Sequence, residues 1–127
     1  MVYTVTAPLK LAHGKKGWLI NLNVYRVSHY RTLNTTKIKY KKLLKEQIQK
    51  LPPFNKVRIT FVLYPKTKRL CDVSNMCTIH DKYFCDALVD FGKLPDDNYL
   101  FVPEVTYRIG YTDKHNPRVE ILIEEID

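Results

Sequence analysis

Residues 72–97 constrain the fold more than any other stretch of the chain. Met76, Ile79, Tyr83, Phe84, Ala87, Leu88 and Val89 recur around most of a helical circumference between residues 73 and 91. Gly92 follows in the position where helices commonly end. A helix that is apolar nearly all round must be buried on several sides. In so short a chain, a subunit interface is a natural way to cover it.

The flanking segments read as strands and turns around this helix. Val2, Val5 and the alternating threonines of residues 2–7 spell a first strand, and Pro8 ends it. A basic turn, His13-Gly14-Lys15-Lys16-Gly17, leads to Trp18-Leu19-Ile20, which can pair back as a short strand. Residues 21–31, rich in Asn, Tyr, Arg and His, read as a loop. Thr35 or Thr36 caps a second helix that Pro52-Pro53 stops. Tyr40, Leu43, Leu44, Ile48 and Leu51 form its apolar stripe, while Lys37, Lys41, Lys42 and Lys45 lie on the remaining surface.

Val57, Ile59, Phe61 and Leu63 alternate in a strand over residues 56–64, followed by the basic turn of residues 65–69. Residues 99–111 form a strand interrupted by Pro103. Asp113 to Pro117 make a turn, and Val119, Ile121 and Ile123 alternate in a last strand that closes a hairpin. The expected order is roughly β-β-α-β-α-β-β. This is an α+β (mixed α/β) fold in one domain over residues 1–127, with a mixed sheet and two main helices.

Charge is divided along the chain. Residues 1–71 hold sixteen Lys or Arg and one acid, Glu46; residues 72–127 hold five basic and twelve acidic side chains. The net charge of +8 arises entirely from the first half, which suits a polyanionic partner and phosphate contacts. Arg26, His29 and Arg31, with Lys66, Lys68 and Arg69, are the side chains expected to cradle a nucleic-acid backbone. Cys71, Cys77 and Cys85 are odd in number and lack a C-x-x-C pair, which argues against a disulfide framework or a zinc site. No run reaches the ~18 apolar residues of a membrane span, and no signal-peptide core is evident. The expected setting is cytoplasmic, with no membrane and no small-molecule cofactor.

At roughly 100° per residue, Asn75, Lys82 and Asp86 lie within about 20° of one direction on the central helix, and Asp81 points well away. Asp72 stands at the helix start, and Asp97 follows its end. Mg²⁺ takes oxygen ligands and commonly uses one or two carboxylates with water and phosphate. Asp72 and Asp97 fit that role, with Asp86 or Asp96 in support and Lys82 offsetting charge on a phosphate oxygen. The plainer assignments are a helix cap for Asp72, a turn residue for Asp97 and an i,i+4 ion pair between Lys82 and Asp86.

Taken together these motifs resemble the RusA-type Holliday junction resolvases of bacteria and their phages. The matching features are Lys68-Arg69, Asp72-Val73-Ser74-Asn75, Lys82-x-x-x-Asp86-Ala87-Leu88 and Asp96-Asp97, in that order, and the likeness covers nearly the whole chain. It implies Asp72 and Asp97 as metal ligands, Lys82 as the catalytic cation and Asn75 as a polar group beside them. It also implies a Mg²⁺- or Mn²⁺-dependent homodimer that makes paired symmetric nicks in four-way DNA junctions, in a bacterial or phage-infected cytoplasm. Two features depart from the pattern. Ser74 stands where the family has a second acid, and the spacing to Asp86 is about one helical turn longer. Asp86, with Asp81 in reserve, is the expected replacement ligand. The rival expectations are a branched-DNA-binding protein that does not cut and a less selective flap or fork nuclease.

Overall fold

A computed structural model describes residues 1–126. The elements are β1 (Val2–Ala7), β2 (Lys10–Leu11), β3 (Trp18–Leu19), α1 (Leu22–Val27), α2 (Tyr30–Gln49), β4 (Val57–Tyr64), α3 (Val73–Asp90), β5 (Glu104–Ile109) and β6 (Arg118–Glu125). Four strands form a mixed sheet in the order β1-β6-β4-β5, and β2 and β3 make a separate small ribbon. All pairings in the larger sheet are antiparallel except β4 with β5. The α+β class expected from the sequence is therefore the class observed.

Period-two alternation sorts the sheet into two faces. Val57, Ile59, Phe61 and Leu63 of β4 meet Val119, Ile121 and Ile123 of β6 and Val5 and Ala7 of β1 in one buried layer beneath the helices. The opposite face is largely polar, with Arg58 between Glu104 (3.6 Å) and Glu124 (3.1 Å). α3 is the crossover between the parallel strands β4 and β5. Its Cys77, Ile79, His80, Tyr83, Phe84, Cys85, Ala87 and Leu88 are all buried. Helices α1 and α2 and the sheet cover these residues within a single chain. Covering α3 thus requires no second subunit, contrary to the expectation from its pattern.

Two polar contacts cross the packed interior. Thr36 Oγ1 lies 3.0 Å from Tyr83 Oη, and Tyr40 Oη lies 3.0 Å from His80 Nδ1. Tyr83 also stacks on Trp18 at 6.2 Å and meets Tyr40 edge-on at 5.5 Å. Each hydrogen bond contributes about 1 kcal/mol net, but losing one partner strands a buried polar group at higher cost. Gln47 clamps the outer strand, accepting from Thr6 N at 2.8 Å and donating to Thr6 O at 2.9 Å. Lys93 Nζ closes the end of α2, donating to Gln49 O at 3.4 Å and to Leu51 O, just past the helix, at 2.7 Å.

Three local expectations change. Residues 21–31 are helical rather than a loop. Asn21 caps α1 by accepting from Val24 N at 2.8 Å, and His29 Nδ1 caps α2 by accepting from Arg31 N at 3.2 Å. Helix α2 therefore begins at Tyr30, six or seven residues before the start that Thr35 or Thr36 would cap, because a ring nitrogen here does the work of a hydroxyl. Strand β5 is limited to Glu104–Ile109, and β5 and β6 do not form a hairpin. They flank opposite sides of β4, and Gly110 N→Leu63 O and Asp113 N→Pro65 O lead the connection across the strand end.

His80 is fully buried, and burial lowers its pKa to about 3, so the folded protein holds the ring neutral. The unfolded chain binds a proton near pH 6.5 that the folded chain refuses. Stability from this residue is complete above pH 6.5 and is lost as pH falls toward 3. Urea denaturation at pH 7 and pH 5 should show about 2 kcal/mol more pH dependence in wild type than in His80→Gln, whose amide can pair with Tyr40 as donor or acceptor.

Candidate functional site

The helical repeat brings Thr78, Asp81, Lys82, Cys85 and Asp86 onto one face of α3, since positions three and four apart are neighbours. That face lines a cleft of about 450 Å³, closed by Asp97, Val102 and Val105. Asp97 arrives from the turn after α3. The side chain of Asp96 shapes that turn, accepting from Asp97 N at 2.7 Å and from Asn98 Nδ2 at 3.1 Å. Asp96 is thus a turn residue, and Asp97 is the carboxylate presented to the cleft.

The carboxylates have distinct partners. Asp81 accepts from Tyr107 Oη at 2.6 Å on one oxygen and from Cys85 Sγ at 3.3 Å on the other. Asp86 Oδ2 meets Lys37 Nζ at 2.5 Å. Asp97 has its carboxyl raised from the usual range by desolvation at the cleft wall, then by Asp96 and by the charge of Asp86. Lys82 is exposed and makes no ion pair among the described residues, so the expected Lys82–Asp86 bridge does not form.

Asp72 and Asn75 stand elsewhere. They line a second cleft of about 600 Å³ with Asn21, Asn23, Lys66, Arg69 and Met76. Fourteen residues of helix separate Asp72 from Asp86, an axial distance of about 21 Å. The expected trio of Asp72, Asp86 and Asp97 is therefore not brought together. Asp72 precedes α3 without a side-chain capping bond, so the plain cap assignment does not describe it either. Asn75 accepts from Asn23 N at 3.2 Å and ties α1 to α3. Ser74 is exposed on the first turn, well away from Asp86.

Lys66, Lys68 and Arg69 lie on the exposed loop between β4 and α3, and Lys66 and Arg69 face the Asp72 cleft. Arg26 ends α1, while His29 and Arg31 flank the exposed Tyr30 at the start of α2. The His29 ring lies 4.4 Å from that of Tyr30, and the Arg31 guanidinium carbon lies 5.9 Å from the Tyr30 ring centre. The six basic candidates thus form two groups, one on the loop and one at the α1–α2 junction.

No protein-family model matches this chain, and no curated protein matches it.

A hard cation fits the first cleft better than the second. Asp86 and Asp97 are close enough for one to raise the other's affinity for a proton, a repulsion that a divalent ion relieves. Among the described residues, no three His, Cys, Asp or Glu side chains are grouped to hold an ion. Two carboxylates completed by water and phosphate is a common Mg²⁺ arrangement. Asp72 shares its cleft with amides, cations and apolar side chains, and with no second carboxylate among the described residues. Spacing along the chain does not point to two contributors: Tyr107, whose hydroxyl donates to Asp81, and Lys37, the partner of Asp86. Asp81 itself was expected to point away, but at i−1 from Lys82 and i+3 from Thr78 it belongs to the same broad face.

Cys85 is buried beside Asp81, and burial followed by that negative charge raises its thiol pKa strongly. Burial likewise pushes the Cys77 thiol up to about 12, whereas Cys71 is exposed. A disulfide reagent at pH 8 should therefore titrate one thiol rapidly in the folded protein. Substituting Cys71→Ser should abolish that fast reaction, and all three thiols should react in denaturant.

Proposed function

We propose that this chain is a Mg²⁺-dependent, structure-selective endodeoxyribonuclease that nicks four-way DNA junctions as a homodimer. The observation that carries this reading is the shared cleft of Asp81, Lys82, Asp86 and Asp97 on a chain of net charge +8. The likeness of its ordered motifs to the RusA-type resolvases supports the same assignment. A four-way junction has approximate two-fold symmetry, so two matched nicks call for a two-fold pair of sites.

Asp86 and Asp97 would hold the ion, in place of the Asp72–Asp97 pair that the motif likeness implies. When bound, Mg²⁺ supplies Lewis-acid polarisation of the phosphate and activation of a water nucleophile. Lys82, unpaired among the described residues, lines the same cleft and would offset charge developing on a phosphate oxygen. Asp81, held on both oxygens, orients the wall of the site through Tyr107 and Cys85. Lys66, Lys68, Arg69, Arg26, His29 and Arg31 bind the DNA backbone, and Tyr30 offers a ring face for an unpaired base. Selectivity for branched DNA comes from the spacing of basic surfaces, because phosphate contacts carry no base information.

One observation favours a second reading, a branched-DNA-binding protein without cleavage: Asp72 and Asp97 occupy different clefts. A labelled synthetic four-way junction incubated with Mg²⁺ separates the two. Paired symmetric nicks are expected, and binding without nicks at any protein-to-junction ratio would end the enzyme reading. Equal cutting of linear duplex would favour a less selective nuclease. Asp86→Asn and Asp97→Asn should each lower cleavage by roughly 100-fold or more while retaining junction binding. Asp72→Asn should continue to cut, and loss of cutting in that variant would relocate the site.

A further inference from the structure

Lys37, on α2 and far away in sequence, reaches Asp86, one of the carboxylates lining the cleft. Its ammonium donates to Asp86 Oδ2 at 2.5 Å, and the two side chains are 38% and 33% exposed, so water still reaches the pair. Asp86 is thus already bound by a cation belonging to the protein. Lys82 sits one turn earlier on α3 itself and makes no ion pair among the described residues. One turn further along, Lys41 pairs with Asp90, which is not among the residues lining the cleft. The two pairs have the same chemistry, but only one touches the candidate centre.

Asp86 and Asp97 repel each other across a cleft that Asp81 also lines, and Lys37 offsets the charge of Asp86. Lys37 holds one oxygen of Asp86, so a divalent ion settling on Asp86 and Asp97 binds a carboxylate whose charge the ammonium already offsets. It also meets the ammonium as a like charge a few ångströms away, and such repulsion is appreciable even in a solvent-exposed cleft.

We propose that Lys37 is a positioning residue that competes with the divalent cation for Asp86 and thereby sets the ion affinity of the cleft. This rests on the reading of Asp86 and Asp97 as the ion-binding pair. A phosphate entering the cleft gives the displaced ammonium a new counter-charge. Ion and nucleic acid therefore favour each other's binding, and the linkage is reciprocal.

Mn²⁺ titration of the full chain, followed by the paramagnetic resonance of free ion, tests the competition without any turnover. Lys37→Met should tighten Mn²⁺ binding by roughly five- to twentyfold, the order expected for removing one nearby charge. Lys37→Arg keeps the charge and should stay within about twofold of wild type. Lys41→Met, which breaks only the neighbouring pair, should leave affinity unchanged. If Lys37→Met binds Mn²⁺ no more tightly than wild type while Asp97→Asn abolishes binding, Lys37 merely tethers α2 to α3. The competition then falls and the ion-binding pair stands. Absence of Asp97-dependent binding in both wild type and Lys37→Met overturns the pair and the competition together.

Discussion

Burial of α3 is the constraint on which the rest of the structure depends. Tyr83, Phe84, Ile79 and Leu88 pack inward on several sides, and charge cannot lie on those sides without a costly desolvation. The polar residues that do enter the interior are neutral and partnered on at least one atom, as in Thr36 with Tyr83 and Tyr40 with His80. One face is left for ionised groups, and it bears Asp81, Lys82 and Asp86. The same packing that stabilises the domain thus confines its chemistry to a single strip of helix.

The divided charge of the chain is folded back on itself. Helix α2 belongs to the basic half and α3 to the acidic half, and Lys37–Asp86 and Lys41–Asp90 join them. Pairs of this exposure add little to stability, about 0–1 kcal/mol each. Their consequence is electrostatic: the lysines of α2 facing α3 are neutralised locally. Lys66, Lys68 and Arg69 make no ion pair among the described residues and remain available to a polyanion. Arg58 and Arg118, in contrast, are bound to carboxylates across the polar face of the sheet and its adjoining turn.

Much of the fold was legible because it rests on short-range periodicity. Val57, Ile59, Phe61 and Leu63 alternate as a half-buried strand must, and α3 spans nearly the expected residues before Gly92 turns the chain at φ 74°. The start of α2 was not legible, because histidine is not among the usual capping residues and its ring nitrogen substitutes only in this geometry. The antiparallel look of β5 and β6 was misleading. Residues 110–117 are a plausible hairpin turn locally, yet β6 satisfies both β1 and β4 only by lying between them. Sequence alternation specifies which face a strand buries, not which strand lies beside it.

The candidate site divides the same way. The amino-acid sequence by itself determined that Lys82 and Asp86 share a helical line, that the basic residues crowd the first half, and that Asp97 follows α3 in a tight acidic turn. Those are consequences of a 3.6-residue repeat, of composition and of local turn chemistry. Only the tertiary structure decided which carboxylates meet. Asp97 joins Asp86 because the turn after α3 folds back along the helix, whereas Asp72 is held a helix-length away by a rise of about 1.5 Å per residue. Lys37 becomes a neighbour of Asp86 only because the apolar stripe of α2, Tyr40, Leu44 and Ile48, docks into the common core. Long-range packing sets such contacts, and no spacing within the chain encodes them.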